Sequence, residues 1–251
     1  MTGWRTPLLT VLAIAALVST GACQDTGAPA QSESASLRVL FIGNSLTYAN
    51  NLPGTFAGVA MTGGDTIAVK MIALPNYGLI DHLTRNSGAV EAIRTGHWDF
   101  VVLQQGPSTL PINRDSLVLW TAMFDSIIRP TGAKTALFMV WPQSGSVGGY
   151  DAVRQSYQAA ANAVGGVFIP AGLSFEAAMN RDATLVLFAS DGYHPSPLGS
   201  YLAAITIYAT VTAHDPRLLS EHAVVNGTAL NVPAATVRML QGVAQEIDAQ
   251  Y

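Results

Sequence analysis

The sequence predicts one α/β domain in which five parallel strands form the middle layer and helices cover both faces. Short apolar segments rich in β-branched residues alternate with segments of helical periodicity along most of the chain. Such alternation is typical of βαβ units, whose strands pair in parallel. The length of 251 residues fits one large domain, because neither an internal repeat nor a change of composition separates two.

Five segments are predicted as strands because each is short, apolar and rich in β-branched or aromatic residues. Glycine, proline or polar residues follow each segment, and such residues end strands. The predicted strands cover residues 37–43, 66–73, 99–103, 134–141 and 166–169.

The other segments of the domain have the apolar spacing of helices. Ser87-Gly88 interrupts the second of them. The last one carries its apolar residues on one side, so we expect it only to pack against the domain. The predicted helices cover residues 53–61, 79–95, 115–129, 151–164, 174–181, 200–212 and 233–249.

The first 36 residues are not expected to belong to this domain. Residues 1–22 have the parts of an export signal, with Arg5 near the start, an apolar segment at residues 8–18 and small residues at the end. That apolar segment is short for a transmembrane helix. Residues 23–36 are small, polar and contain proline, which predicts a flexible tether before a domain at residues 37–251.

Cys23 is the single cysteine, so no disulfide can form within the chain. It follows Thr20-Gly-Ala22, which resembles the lipobox of bacterial lipoproteins, with Thr20 where that motif usually has leucine. The resemblance implies a lipid anchor at Cys23 on the cell envelope; plain secretion or a periplasmic location is the alternative. The net charge is −4 and no Lys/Arg cluster is present, which argues against a nucleic-acid partner. For the same reason we expect the domain to contact the membrane only through the lipid anchor at Cys23.

A serine follows the first predicted strand. That strand breaks at Gly43, and Ser45 comes two residues later, before helix-compatible sequence. Parallel sheets place their sites at the carboxyl ends of their strands, so Ser45 is a candidate nucleophile. Gly-Asn-Ser is also ordinary turn chemistry, which leaves a structural turn as the alternative.

Asp191 and His194 occur together in a loop rich in glycine and proline. A serine hydroxyl needs a base to take its proton, and an imidazole serves best when a carboxylate holds its tautomer. The spacing lets the carboxylate reach the ring, and Pro195 and Pro197 stiffen the segment. Asp-x-x-His also occurs in capping and structural roles, and it can supply metal ligands, although no third ligand cluster is visible.

Together these features resemble the SGNH hydrolases, also called GDSL hydrolases, over about residues 37–212. The points of likeness are the Gly-Asn-Ser turn, Gly78 after the second strand, the amides after the third and the Asp-x-x-His loop. The resemblance implies a flavodoxin-like three-layer fold, with Ser45 as nucleophile, His194 as general base and Asp191 as its orienting acid. It implies no metal or organic cofactor.

The resemblance also implies an oxyanion hole, with the backbone N–H groups of Ser45 and Gly78 as donors. The family's third block, Gly-x-Asn-Asp, falls on Gly106-Pro-Ser-Thr109, so its asparagine is missing. Gln105 resembles the glutamine of the Gln-Gly-Glu-Ser stretch in related acetylesterases, and its amide can donate. The fallback donors are Gln104 and Ser108.

The function that these features favour is an exported serine esterase with an acyl-Ser45 intermediate and an O-acetylated carbohydrate as substrate. The substrate preference rests on the likeness at Gln105-Gly106 and on the expected location outside the cytoplasm. A lipase or lysophospholipase is one alternative, though no long apolar lid segment is visible. A surface glycan-binding module that kept the fold and lost the chemistry is another, because the third-block asparagine is missing.

The remaining histidines are expected to have no catalytic role. His82 and His97 lie in or beside predicted helices, and His214 and His222 precede the last helix. We expect all four to face solvent or to cap helices. Trp141, at a strand end, is left outside the site as a packing residue.

Overall fold

The computed structural model describes residues 1–4, 36–144 and 149–251 of the chain. The expected cleavage site, Cys23 and most of the tether lie outside the described residues. The elements below all belong to one compact unit, Glu33–Tyr251. No helix in the described ranges is long and apolar enough to cross a membrane.

Five parallel strands form the middle layer of the domain. They are β1 (Leu37–Gly43), β2 (Ile67–Ala73), β3 (Phe100–Leu103), β4 (Lys134–Phe138) and β5 (Val167–Ile169). They pair in the order β2-β1-β3-β4-β5, which is the flavodoxin-like order. The predicted fold class, a three-layer α/β/α domain with a five-stranded parallel sheet, is therefore confirmed.

Helices cover both faces of this sheet. The helices are α1 (Ser45–Tyr48), α2 (Leu52–Thr62), α3 (Leu79–Thr84), α4 (Ala89–Thr95), α5 (Pro111–Ile128), α6 (Gly149–Val164), α7 (Ala171–Arg181), α8 (Pro197–Thr212) and α9 (Ala234–Asp248). In one group α5 packs against α6, and in the other α8 packs against α2, α7 and α9. A two-stranded hairpin, β6 (Val224–Val225) with β7 (Thr228–Ala229), follows α8.

Several predicted boundaries differ from the structure by one to four residues, and two of them have a clear physical cause. β4 ends at Phe138 rather than Trp141, because its partner β5 ends at Ile169, opposite Phe138. α5 begins at Pro111, earlier than predicted, because proline fits the first turn of a helix, where its missing N–H has no partner to lose. The predicted interruption of residues 79–95 is confirmed, since α3 and α4 are separate helices.

The order of the strands determines where a site can form. From β1 the chain crosses first to β2 on one side and then to β3 on the other side of β1. The loops that follow β1 and β3 therefore leave the sheet in opposite directions, and a crevice opens between them at the carboxyl edge. Ser45 follows β1, and Gln104 and Gln105 follow β3, so both sequence signals meet at this crevice.

Two helical glycines make a matched test of how closely α8 packs. A Cβ atom on Gly199 of α8 would overlap the carbonyl oxygen of Leu187 and crowd Phe175, whereas a Cβ on Gly242 of α9 would meet no atom within 4 Å. We expect Gly199→Ala to lower the free energy of unfolding by about 1–3 kcal/mol through overpacking. Gly242→Ala should raise it by about 0.5–1 kcal/mol, because alanine loses less backbone entropy in a helix. Urea unfolding measures both, and equal effects would contradict the packing argument.

Candidate active site

The turn that carries Ser45 is held by its neighbour Asn44. The Asn44 Oδ1 atom accepts hydrogen bonds from the Leu46 N–H (3.1 Å) and from the Gln104 side-chain amide (3.0 Å). The Asn44 Nδ2 atom donates to the Tyr77 carbonyl oxygen at 2.9 Å. An amide can accept and donate at the same time through two separate atoms, whereas an ionised carboxylate can only accept. Asn44 thus caps α1 and ties the loop after β1 to the loop after β2.

Gln104 completes this support from the end of β3. Its Oε1 accepts from the Asn44 N–H at 2.9 Å and from the Thr47 hydroxyl at 2.7 Å. The side chain comes so close to the strand end that a Cβ on Gly43 would overlap Gln104 Oε1 and the Thr47 hydroxyl. Gln104 is 1% exposed and does not line the cleft. It therefore supports the turn that carries Ser45, which is a different role from that of fallback oxyanion donor.

The structure brings the predicted nucleophile, base and acid together in hydrogen-bonding order. The Ser45 Oγ atom lies 2.9 Å from His194 Nε2, and His194 Nδ1 lies 2.6 Å from Asp191 Oδ2. Each step of a serine, histidine and carboxylate triad is thus within hydrogen-bonding distance. The His194 and Asp191 side chains are 37% and 49% exposed, so the triad lies at the surface of the crevice.

Hydrogen bonds within its own loop hold Asp191 ionised. The hydrogen bond from His194, followed by those from the Tyr193 and His194 backbone N–H groups, lowers the pKa of Asp191 to about 2. Those backbone bonds to Asp191 Oδ1 are both 2.9 Å long. An ionised Asp191 accepts from the Nδ1–H of His194, which leaves Nε2 as the atom that faces the serine.

The loop that carries the triad's acid and base is fixed at its stem and at its tip. The Ala189 N–H donates to the His194 carbonyl oxygen at 2.8 Å and closes the stem. At the tip, the indole N–H of Trp141 donates to the Tyr193 carbonyl oxygen at 2.9 Å. Trp141 is fully buried and stacks on Phe175. Trp141 is thus a packing residue, as expected, and it also orients the loop.

The predicted oxyanion donors line one cleft of about 480 Å³ together with the predicted nucleophile, Ser45. Among the described residues, the Ser45 backbone N–H has no hydrogen-bond partner, so it is available as a donor. The Gly78 N–H donates to the Asp81 carboxylate at 2.8 Å, as part of the cap of α3. The Gln105 side-chain amide donates to the Ser108 hydroxyl at 3.1 Å. Two of the three predicted donors therefore have internal partners in this structure.

A buried tyrosine of α6 holds the loop after β3. The Tyr157 hydroxyl contacts the carbonyl oxygens of Gln105 and Gly106 and accepts from the Gln105 N–H at 3.2 Å. The Ser156 hydroxyl donates to the Ser108 carbonyl oxygen at 2.6 Å, and Ser108 has a positive φ of 57°. Burial raises the pKa of Tyr157, so its hydroxyl stays protonated. From the sequence, Tyr157 was predicted only as part of the helix at residues 151–164.

The expectation that His82 faces solvent or only caps a helix is wrong. His82 is 1% exposed, with Nε2 at 2.8 Å from the Gly43 carbonyl oxygen and Nδ1 at 2.9 Å from the Ser87 hydroxyl. The carbonyl oxygen can only accept, so Nε2 carries the proton and Nδ1 accepts from Ser87. The exposed positions of His97 and His222 agree with the expectation.

Asn50 links the segment that follows Ser45 to the loop that carries His194. Its Nδ2 donates to the Pro195 carbonyl oxygen at 2.9 Å and to the Ser200 hydroxyl at 2.8 Å. The residue adopts the left-handed conformation (φ 53°, ψ 24°), which asparagine tolerates better than most residues. Sequence reasoning missed Asn50, although the pair Asn50-Asn51 was a visible signal for left-handed backbone.

Two further observations bear on what the site can bind. Within residues 36–144 and 149–251, no three His, Cys, Asp or Glu side chains lie close enough together to hold a metal ion. The residues of the described ranges that line the cleft are all uncharged, among them Asn76, Asn113 and Trp120. Amide, hydroxyl and aromatic groups are thus what a bound molecule would meet next to Ser45.

Comparison with known proteins supports the family resemblance. The sequence matches no protein-family model, and no curated protein matches it. Among solved structures, a candidate SGNH hydrolase from Slackia heliotrinireducens is 26% identical, with a TM-score of 0.58 over 71% of this chain and 100% of that one. A DUF4886 family protein from Bacteroides uniformis is 17% identical, with a TM-score of 0.69 over 84% and 93% of the two chains.

An acetylxylan esterase from Geobacillus stearothermophilus, solved as a catalytic mutant, also shares the fold. It is 17% identical, with a TM-score of 0.51 over 73% of this chain and 97% of that one. These likenesses show that the chain has the fold of SGNH hydrolases, and they support the family that the sequence motifs imply.

His82 provides a test of stability against pH. Burial is the main cause that lowers its pKa, so the folded protein keeps His82 neutral where the unfolded chain, with a pKa of about 6.5, takes up a proton. The stability that neutral His82 contributes is therefore complete above about pH 6.5 and is lost as the pH falls toward the lowered pKa. Between about pH 7.5 and about pH 5.5, the free energy of unfolding measured with urea should fall less for His82→Gln than for the wild type. An equal fall in both proteins would contradict the contribution of neutral His82 to stability.

Asn50 and Asn51 make a matched pair for testing the link between the two loops. Both have positive φ, so glycine preserves the backbone at either position. For ester hydrolysis, Asn50→Gly should lower kcat by about 10- to 100-fold with little change in KM, because it loosens the loop that carries His194. Asn51→Gly removes a bond to Asn226 and the cap of α2, so it should affect stability but not kcat. An unchanged kcat in Asn50→Gly would contradict the positioning role.

Proposed function

We propose that this protein is an exported serine esterase of the SGNH hydrolase family, with Ser45 as nucleophile, His194 as general base and Asp191 as its orienting acid. The observation that carries the proposal is the continuous hydrogen-bonded line from Ser45 Oγ through the His194 ring to Asp191. The likeness to solved SGNH-type hydrolases and esterases supports ester hydrolysis as the class of reaction.

The hydrogen bonds give each group of the triad a defined step. His194 Nε2 takes the proton of the Ser45 hydroxyl as Oγ attacks the ester carbonyl carbon, and Asp191 stabilises the imidazolium that forms. When the tetrahedral intermediate collapses, the C–O bond to the alcohol breaks, and His194 gives its proton to the leaving oxygen. Water, deprotonated by His194, then attacks the acyl-Ser45 carbonyl in the same way and releases the acid.

The negative charge that develops on the carbonyl oxygen needs donors in the cleft. The Ser45 N–H is the donor that has no partner in the resting structure, and Gly78 and Gln105 contribute by giving up their bonds to Asp81 and Ser108. One such donor is worth about 2.7–4 kcal/mol of transition-state stabilisation. The reaction requires no cofactor in this scheme, because proton transfer and covalent catalysis come from side chains.

An O-acetylated carbohydrate is the substrate that we propose. A cleft lined by uncharged amide, hydroxyl and aromatic groups suits a neutral molecule with many hydroxyl groups. One solved structure with this fold is an acetylxylan esterase. We propose that the enzyme meets such glycans outside the cytoplasm, with a lipid at Cys23 as its membrane anchor.

Substitution of the triad tests the proposed reaction. Ser45→Ala and His194→Ala should each lower kcat for 4-nitrophenyl acetate at least about 1,000-fold while the protein stays folded, because each removes a step of the acyl transfer. A fluorophosphonate probe should label the wild type at Ser45 and should not label Ser45→Ala.

A second histidine and aspartate pair provides the control. His214 Nδ1 lies 2.9 Å from Asp65 Oδ2, which resembles the pairing in the triad, but no serine of the described ranges is bonded to that ring. His214→Ala should therefore keep the wild-type kcat. Retained activity or probe labelling in Ser45→Ala would overturn Ser45 as the nucleophile, whereas a wild type that neither hydrolyses the ester nor reacts with the probe would favour a glycan-binding module without catalysis.

A further inference from the structure

One face of α5 forms a wall of the cleft. Asn113, Ser116 and Trp120 follow each other at helical spacings of three and four residues, so their side chains lie on the same face of the helix. All three line the same cleft as Ser45 and Gln105. We call these three residues the α5 subsite.

Trp120 differs from the other two tryptophans of the folded domain. Trp98 and Trp141 donate their indole N–H groups to the carbonyl oxygens of Ala92 and Tyr193. Trp120 is half-buried and lines the cleft, and in the described part of the chain its indole N–H has no protein acceptor. An aromatic ring with a free polar edge can pack against an apolar face and hydrogen-bond at the same time.

The polar groups around Trp120 are also available to a ligand. Asn113 is exposed, and Asn76 lines the same cleft. The side-chain amides of these two residues make no hydrogen bond to another residue of the described ranges. The Ser116 hydroxyl donates to the Ile112 carbonyl oxygen and keeps its lone pairs as acceptors. Amides that both donate and accept match sugar hydroxyls, which do the same.

The charges around the cleft favour a neutral ester over two classes that carry phosphate. Among the described residues no Lys or Arg lines the cleft, and Arg85, which lies over the ring of the lining residue Tyr77, is paired with Asp81 at 2.9 Å. The phosphates of a coenzyme A thioester or of a phospholipid would therefore meet no unpaired cation here, and phosphate binding depends on such partners. A neutral sugar needs none.

We propose that the α5 subsite binds the carbohydrate part of an acetylated glycan, with Trp120 stacked on one sugar ring and Asn113 hydrogen-bonded to its hydroxyls. This inference rests on the proposed function, because the ring that it places carries the ester that Ser45 attacks. The subsite gives selectivity for sugar esters over esters of small alcohols, since a small alcohol has no ring of hydroxyl groups to stack on Trp120 and bond to Asn113.

The test compares kcat/KM for acetylated xylotriose with kcat/KM for 4-nitrophenyl acetate in the same enzyme preparation. Trp120→Ala should lower the ratio of the two values by about tenfold. Trp120→Phe keeps a stacking face and should lose less, and Asn113→Ala, at an exposed position, should lower the ratio without risk to folding. Leu119→Ala, exposed on the same helix and outside the cleft lining, is the control and should keep both values.

The outcomes separate this inference from the proposed function. If the wild type hydrolyses 4-nitrophenyl acetate but not acetylated xylotriose, or if Trp120→Ala and Asn113→Ala leave the ratio as it is, the subsite is overturned and the triad stands. If the wild type hydrolyses neither ester, the proposed function is overturned and the subsite with it. A lower ratio in both variants, with the control unchanged, supports the subsite.

Discussion

The geometry of the site depends on one buried hydrogen-bond network at the ends of β1 and β3. Gln104 accepts from the Asn44 N–H and the Thr47 hydroxyl, and Asn44 in turn bonds to the Gln104 amide and to the Tyr77 carbonyl oxygen. Asn44, Thr47 and Gln104 are all buried, which makes their bonds costly to leave unmade. These bonds hold the turn that carries Ser45 in place.

The other half of the site reaches Ser45 from a distant part of the chain. The loop that carries Asp191 and His194 leads into α8, and the residues on α8 are almost all buried against neighbouring helices. The packed helix α8 holds the loop at one end, and Trp141 and Asn50 bond to the backbone of the loop from two other sides. Ser45 and His194 belong to different elements. The distance of 2.9 Å between their side chains is therefore set by how these elements pack together.

The sequence predicted the strands and most of the helices, because these depend on local patterns. The apolar composition of a buried strand is visible within the seven residues of β1. Asp-x-x-His is also a local spacing, and the structure brings His194 and Asp191 of that motif into hydrogen-bonding order with Ser45. His82, Tyr157 and Asn50 were not predicted in their roles. Each acts through a bond to a carbonyl group 39 or more positions away in the chain. A histidine on a short helix has the same local sequence whether it is buried or exposed, so only the three-dimensional packing decides its role.

The two proposed oxyanion donors that have partners at rest differ in the bond that each would give up. The Gly78 N–H donates to a carboxylate, which is already a charge-assisted bond, and Asp81 would lose it if the oxyanion formed there. The Gln105 amide donates to the neutral Ser108 hydroxyl, so a move to an oxyanion would replace a neutral bond by a charge-assisted one, which is about twice as strong. Gln105 would therefore gain more from the exchange than Gly78. In the proposed oxyanion hole, Gln105 is thus better suited than Gly78 to join the Ser45 N–H.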